Sequence, residues 1–189
     1  MSIVESSVAQ YIMKDSQNPD SAVVLAATDP HGRVIGSLDG GPAATEITKA
    51  HIHMAAEAPM LGDKIFSVAN EFIVTEQVWR ALQAISATDH LHAIKAMVIN
   101  TGREPVAKVR WLVPIVSHDA LHRELARYRK NAGSQRITRV MHWALNAENV
   151  PPVALWHETN GRWFASRAFY EMWARSRYIG ARFEEVAVA

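Results

Sequence analysis

Asn149-Val150-Pro151-Pro152-Val153-Ala154-Leu155-Trp156, then Thr159-Asn160-Gly161-Arg162-Trp163-Phe164-Ala165-Ser166-Arg167 and Phe169-Tyr170-Glu171-Met172-Trp173, is the stretch on which the fold turns. Val153 to Trp156 is β-prone, Thr159-Asn160-Gly161 has turn chemistry, and Arg162 to Phe164 returns as a second strand. Ser166 stands where a helix cap is needed, so a helix is expected from about Ser166 to Arg177, with a closing strand at Ala181 to Val188. The first peptide N–H groups of such a helix lack partners within it. The peptide dipoles also place their positive end there, which makes a helix start a place for an anion.

Working back from this unit, Ser134 is read as the cap of a helix through Asn146, with Ile137, Val140, Met141 and Ala144 on one face and Arg136 and Arg139 on its flank. Before it, Ser117 caps an expected helix from Asp119 to Asn131, ended by Gly133. Two strands, Leu91 to Ile99 and Val106 to Ile115, are joined across Asn100-Thr101-Gly102. Phe72 to Val74 reads as a short strand leading into a helix capped by Thr75 and running through Ile85, an echo of the Trp163 to Ser166 passage. Thr45 to Ala58 reads as a further helix and Pro59 to Asp63 as a loop. Ser21 to Thr28 and Arg33 to Leu38 form a hairpin around Asp29-Pro30-His31-Gly32. Residues 1–20 read as a loosely held terminus, 21–116 as an accessory region and 117–189 as the functional region, packed as one compact unit with 21–116.

The 189 residues contain no cysteine, which excludes disulfides, zinc thiolates and thiol nucleophiles. No apolar run approaches bilayer length, and Met1-Ser2-Ile3-Val4-Glu5 lacks a basic segment followed by an apolar one, so membrane insertion is not expected and a cytoplasmic location is. The net charge of +1 hides an asymmetry: residues 1–100 hold six Lys+Arg against eleven Asp+Glu (−5), and residues 101–189 hold fourteen against eight (+6). Twelve of those fourteen are Arg, whose planar fork suits phosphate, so a polyanionic partner is expected for the second half. Arg123, Arg127 and Lys130 form a stripe at helical spacing that suits a DNA backbone, with Tyr128 available to stack on a base.

The Pro-Pro strand, the Gly161-Arg162-Trp163-Phe164 hairpin and the Phe169-Tyr170-Glu171-Met172-Trp173 helix resemble the core of the ParB/sulfiredoxin superfamily over residues 134–188. Laid onto the sulfiredoxin turn, Ala165 and Ser166 fall on its glycines, Arg167 on its cysteine, Ala168 on its histidine and Phe169 on its arginine. Sulfinic-acid reduction is thereby excluded, while Arg136 and Arg139 fall near the family's phosphate-binding lysine and serine. The resemblance implies an α+β domain with a mixed sheet and an additional N-terminal α/β layer. It also implies the activity of the family's plasmid fertility-inhibition members, an ATPase and DNase that blocks DNA transfer through a type IV secretion system.

On that reading ATP sits at Ser166, Arg167, Arg136 and Arg139. Mg²⁺ and water are served by Glu171 and Glu148, and DNA lies along Arg123, Arg127 and Lys130. The competing reading is a non-catalytic inhibitor that occupies DNA or a secretion component. A third is a partner-neutralising protein using the acidic first half. No Gly-Lys-Ser/Thr phosphate loop is present. His118 and His122, four apart on the expected helix, are a weaker metal or acid/base pair; His51 and His53 would share a face only on a strand, and His90 and His92 read as structural.

Overall fold

The computed structural model describes residues 9–15, 23–35, 46–54, 61–67 and 71–189. Period-two alternation dominates these residues. β1 (Gln10–Asp15) joins a second sheet described below, and β2 (Val23–Thr28), β3 (Val34–Ile35), β4 (Lys49–Met54), β5 (Lys64–Ser67), β6 (Phe72–Thr75), β7 (Leu91–Ile99) and β8 (Pro105–Pro114) form the first. Its order is β3-β2-β4-β7-β8-β6-β5, and β5 pairs back onto β2 in parallel, Val23 with Phe66 and Val24 with Ser67. Six strands therefore close into a barrel, which leaves no free edge among them. Alternate residues fill its interior, among them Ile52 and Met54 of β4, Ile94 and Val98 of β7, and Trp111 of β8.

The second sheet has the order β12-β15-β1-β14-β13-β9, made from β9 (Ser117–His118), β12 (Ala144–Leu145), β13 (Leu155–Glu158), β14 (Arg162–Ser166) and β15 (Ala181–Val188) around β1. One face packs against the barrel's outer wall and two helices, α1 (Glu76–Ile85) and α2 (Arg167–Ser176). Phe72, Val74 and Leu112 of the barrel meet Leu155, Trp163 and Phe169 there, with the Phe72 and Trp163 rings 4.8 Å apart. The opposite face buries Ile12, Trp156 and Phe164 beneath Trp143 and Val150. A separate ribbon, β10 (Arg127–Lys130) with β11 (Ile137–His142), stands on a small cluster of Leu121, Ala126 and Ala144.

This architecture corrects the expected fold. The described residues are mostly strand with two α-helices, arranged as curled sheets, and not an α+β ParB/sulfiredoxin-like domain with an N-terminal α/β layer. The helix expected over Ser134 to Asn146 is a turn followed by β11 and β12, and the helix expected over Asp119 to Asn131 is a turn followed by β10. The cause lies in the register. Arg129 faces Arg139 but Lys130 faces Ile137, so Thr138 is an extra residue on β11. That bulge puts Ile137 and Val140 on the same inward face at a spacing of three, which reads as helical in sequence.

Thr45 to Ala58 likewise holds β4, where Ala50, Ile52 and Met54 alternate inward; residues 55–60 lie outside the described ones. Gln10–Asp15, within the expected loose terminus, forms a six-residue strand between β14 and β15. The rest of the 1–20 segment, apart from Ala9, falls outside the described residues.

The Thr75-capped helix, the β7–β8 pair, the hairpin at Thr159 to Gly161, the Ser166-capped helix and the closing strand stand where the sequence put them. The two strand-to-helix units that echo each other in sequence share one core.

Candidate nucleic-acid interface

The second half's positive charge is concentrated on the ribbon. Residues 127–142 read Arg-Tyr-Arg-Lys-Asn-Ala-Gly-Ser-Gln-Arg-Ile-Thr-Arg-Val-Met-His, with five Lys/Arg and no acid. Tyr128, Ile137 and Val140 point toward the cluster beneath and anchor the hairpin. Arg127, Arg129, Lys130, Arg136 and Arg139 are exposed, and among the described residues none of the five is in an ion pair. Arg129 and Arg139 stand directly opposite each other, an arrangement that repels. Lys130 lies over the Tyr128 ring at 5.5 Å. Tyr128 is therefore a packed, half-buried side chain rather than an open platform for a base.

The turn that joins the two strands is held by its own polar atoms. Asn131 Oδ1 accepts from the N–H of Gly133 at 2.9 Å and of Ser134 at 3.3 Å, while Asn131 N–H donates to Arg136 O at 2.8 Å. Ser134 accepts from the Arg136 N–H, so it shapes this turn instead of capping a helix. Arg127 and Lys130, expected on a helical stripe, lie on β10. Arg123, expected with them, precedes the ribbon in a turn and forms a two-bond pair with Asp119 at 2.7 and 2.8 Å. Arg136 and Arg139, expected at a phosphate pocket beside Ser166, belong to the ribbon's turn and to β11. Sequence reasoning found the cations and misplaced their backbone.

At the start of α2, Ser166 Oγ accepts from the Phe169 N–H at 3.5 Å, as a cap does. Arg167 donates through Nε to Glu171 Oε1 at 3.0 Å, and Arg175 approaches the other oxygen at 3.5 Å. The Glu171 carboxylate holds the Arg167 guanidinium above its ordinary pKa. Glu171, expected to serve a metal or water, thus lies between two arginines on its own helix. Glu148 is exposed in a short 3₁₀ turn (Ala147–Asn149) capped by Asn146. The helix that was to close Arg136 and Arg139 over Ser166 is absent, and with it that cradle's expected construction.

The histidines fall into place on strands. His118 is on β9 and His122 in the following turn, where its Nδ1 accepts from the Leu125 N–H at 3.4 Å, so the expected helical pair does not form. Burial, and then the charge of His90, hold His118 below its usual pKa. His90 Nε2 and His92 Nε2 donate to the carbonyls of Leu155 and Ile47 at 2.7 Å, as structural residues do. His51 and His53 share the outer face of β4, since that segment is a strand, and His53 meets Thr28 Oγ1 at 3.0 Å. No group of three or more His, Asp or Glu with metal-site geometry occurs among the described residues.

No known protein-family model matches the chain, and no curated protein matches it in sequence. No helix among the described residues is long and apolar enough to cross a membrane.

Proposed function

We propose that this protein binds duplex DNA through the β10–β11 ribbon and acts by occupying it. A single observation supports this reading: five exposed cations, four of them Arg, on one hairpin that carries no acid and forms no ion pair. Their mutual repulsion is relieved when phosphates lie among them. The major groove of B-DNA, about 12 Å wide, admits a two-stranded ribbon. Backbone phosphates would take Arg127, Lys130 and Arg136, while Arg129 and Arg139, side by side on the outward face, would meet phosphates or base edges. Blocking DNA transfer through a secretion system, as the sequence suggested, is one setting for such occupancy.

Binding of a labelled duplex, followed across a salt series, tests this. The expected result is saturable binding that weakens steeply with salt and is at least tenfold weaker in Arg129→Gln/Arg139→Gln; salt-independent or absent binding by the wild type rejects it. Incubating the same protein with plasmid DNA and Mg²⁺, with and without ATP, separates occupancy from catalysis. Intact DNA and no phosphate release support occupancy. Nicking or phosphate release that disappears in Glu171→Ala would support the ATPase and DNase reading in its place.

A further inference from the structure

On the outer wall of the barrel, far along the chain from the ribbon, a cleft of about 530 Å³ opens across β4, β7 and β8. Its size is that of a small-molecule site. The pairing register lays out its chemistry row by row. Lys49 of β4 faces Lys95 of β7, which faces Arg110 of β8; in the next row on this face His51 faces Met97, which faces Lys108. Neighbouring side chains in such rows have their Cβ atoms within about 5 Å.

Among the described residues, one carboxylate lines this cleft. Glu76 of α1 takes Arg110 in a two-bond pair at 2.6 and 3.0 Å, and this guanidinium holds the Glu76 carboxyl below its ordinary pKa. Glu76 is thereby occupied. Lys49, Lys95 and Lys108 are exposed and form no ion pair among the described residues. Lysine on a sheet usually guards an edge against pairing with another chain. That explanation fails here, because β7 is flanked on both sides by β4 and β8 inside a closed barrel. Like charges set opposite each other in mid-sheet cost stability. Three such ammonium groups converging on a concave surface are what a multiply charged anion needs.

We infer that the β4–β7–β8 cleft is a binding site for a small phosphorylated ligand of nucleotide size, its phosphates held by Lys49, Lys95 and Lys108 and its less polar portion resting on Met97 and Pro30. Pro30 lies on the β2–β3 turn at the cleft's rim, so the turn that closes the first hairpin also walls the site. Arg110 and Glu76, paired within the same cleft, offset each other's charge, so the positive potential there comes from the three lysines. Lysines in this role act as point charges and tolerate varied phosphate geometry. The site is distinct from the ribbon and does not depend on DNA binding there.

The test is titration calorimetry of the full chain with pyrophosphate and with ADP at low ionic strength, alongside Lys95→Gln/Lys108→Gln and Arg129→Gln/Arg139→Gln. Pyrophosphate and ADP are expected to bind the wild type, with affinity at least tenfold lower in the lysine variant and unchanged in the ribbon variant. Thermal melting of both variants confirms folding, since every substituted side chain is exposed. Absence of binding by both anions overturns the inference, as does equal binding to the lysine variant. A single-stranded oligonucleotide that displaces pyrophosphate where ADP does not bind would also overturn it, by making the cleft part of a nucleic-acid track. Loss of duplex binding in the ribbon variant is read separately, so either site can fail without the other.

Discussion

Arg129 and Arg139 are cross-strand partners on the ribbon, two guanidinium groups placed directly opposite each other on its solvent face. Isolated, the pair costs the hairpin roughly 0.2–1 kcal/mol. Arg129→Gln/Arg139→Gln is therefore expected to leave the fold intact or slightly more stable in thermal melts. The same variant should weaken duplex binding at least tenfold. The slope of log K against log salt should drop by about 2, one unit for each phosphate that the variant no longer neutralises. A variant that melts lower and binds DNA normally would make the pair structural.

Trp156 Nε1 donates to Gln10 Oε1 at 3.1 Å, and both side chains are buried, 146 positions apart in the chain. This bond ties the N-terminal strand to the sheet's interior. Gln10→Leu keeps the volume and removes the acceptor, leaving a buried indole N–H unsatisfied, which costs about 1–3 kcal/mol. The expected outcome is a lower midpoint in denaturant unfolding. An unchanged midpoint would mean that β1 contributes little to the sheet.

What could be read from the sequence divides along a physical line. Elements with an unambiguous local signal were legible: Thr75 and Ser166 as caps, the Thr159-Asn160-Gly161 turn, and the long alternation of Leu91 to Ile99. The ribbon was not, because the bulge at Thr138 gives Ile137 and Val140 a helical spacing and no residue within 134–146 signals the partner strand. Its arginines were recognised as phosphate-seeking by type alone, and their grouping with Arg127 and Lys130 appears only once β10 and β11 pair. The lysine cleft was invisible for the same reason. Lys49, Lys95 and Lys108 are each isolated in sequence, and only the parallel β4–β7 and antiparallel β7–β8 registers collect them.

Gly180 joins the two units by close approach. It adopts φ +103°, and a Cβ there would lie 2.0 Å from the Lys64 carbonyl oxygen. Beside it the Lys64 N–H donates to Ile179 O at 3.1 Å, and the Ile179 N–H to Asp63 Oδ2 at 2.9 Å. Gly180→Ala meets both a steric overlap with backbone and a conformation that L-residues avoid. A loss of about 2 kcal/mol or more is expected in equilibrium unfolding. Gly32→Ala, at φ +83° with open space around its Cβ, is the control and should lose about 1 kcal/mol.

Glu158 is fully buried at the end of β13, where it organises the hairpin turn. Its oxygens accept from the Asn160 N–H at 2.6 Å, from Asn160 Nδ2 at 2.9 Å and from Thr159 Oγ1 at 3.3 Å. Burial nevertheless raises its pKa above the ordinary 4.5, helped by the charge of Asp119 and opposed by the Asn160 and Thr159 bonds. A raised folded-state pKa means the native state holds the proton more tightly than the unfolded chain does. The stability from this group is therefore fully present below about pH 4.5 and declines as pH rises through the higher native value. Glu158→Gln removes the titration, and its amide, like the protonated carboxyl, presents one accepting oxygen and one donor to residues 159 and 160. Relative to this variant the wild type should be most favoured near pH 4 and should lose ground as pH rises toward 8, levelling off once the pH has passed the raised native value. Urea midpoints of the two proteins measured across that range provide the check; a difference that stays constant, or moves in the wild type's favour as pH rises, would show that the native fold does not favour the protonated carboxyl.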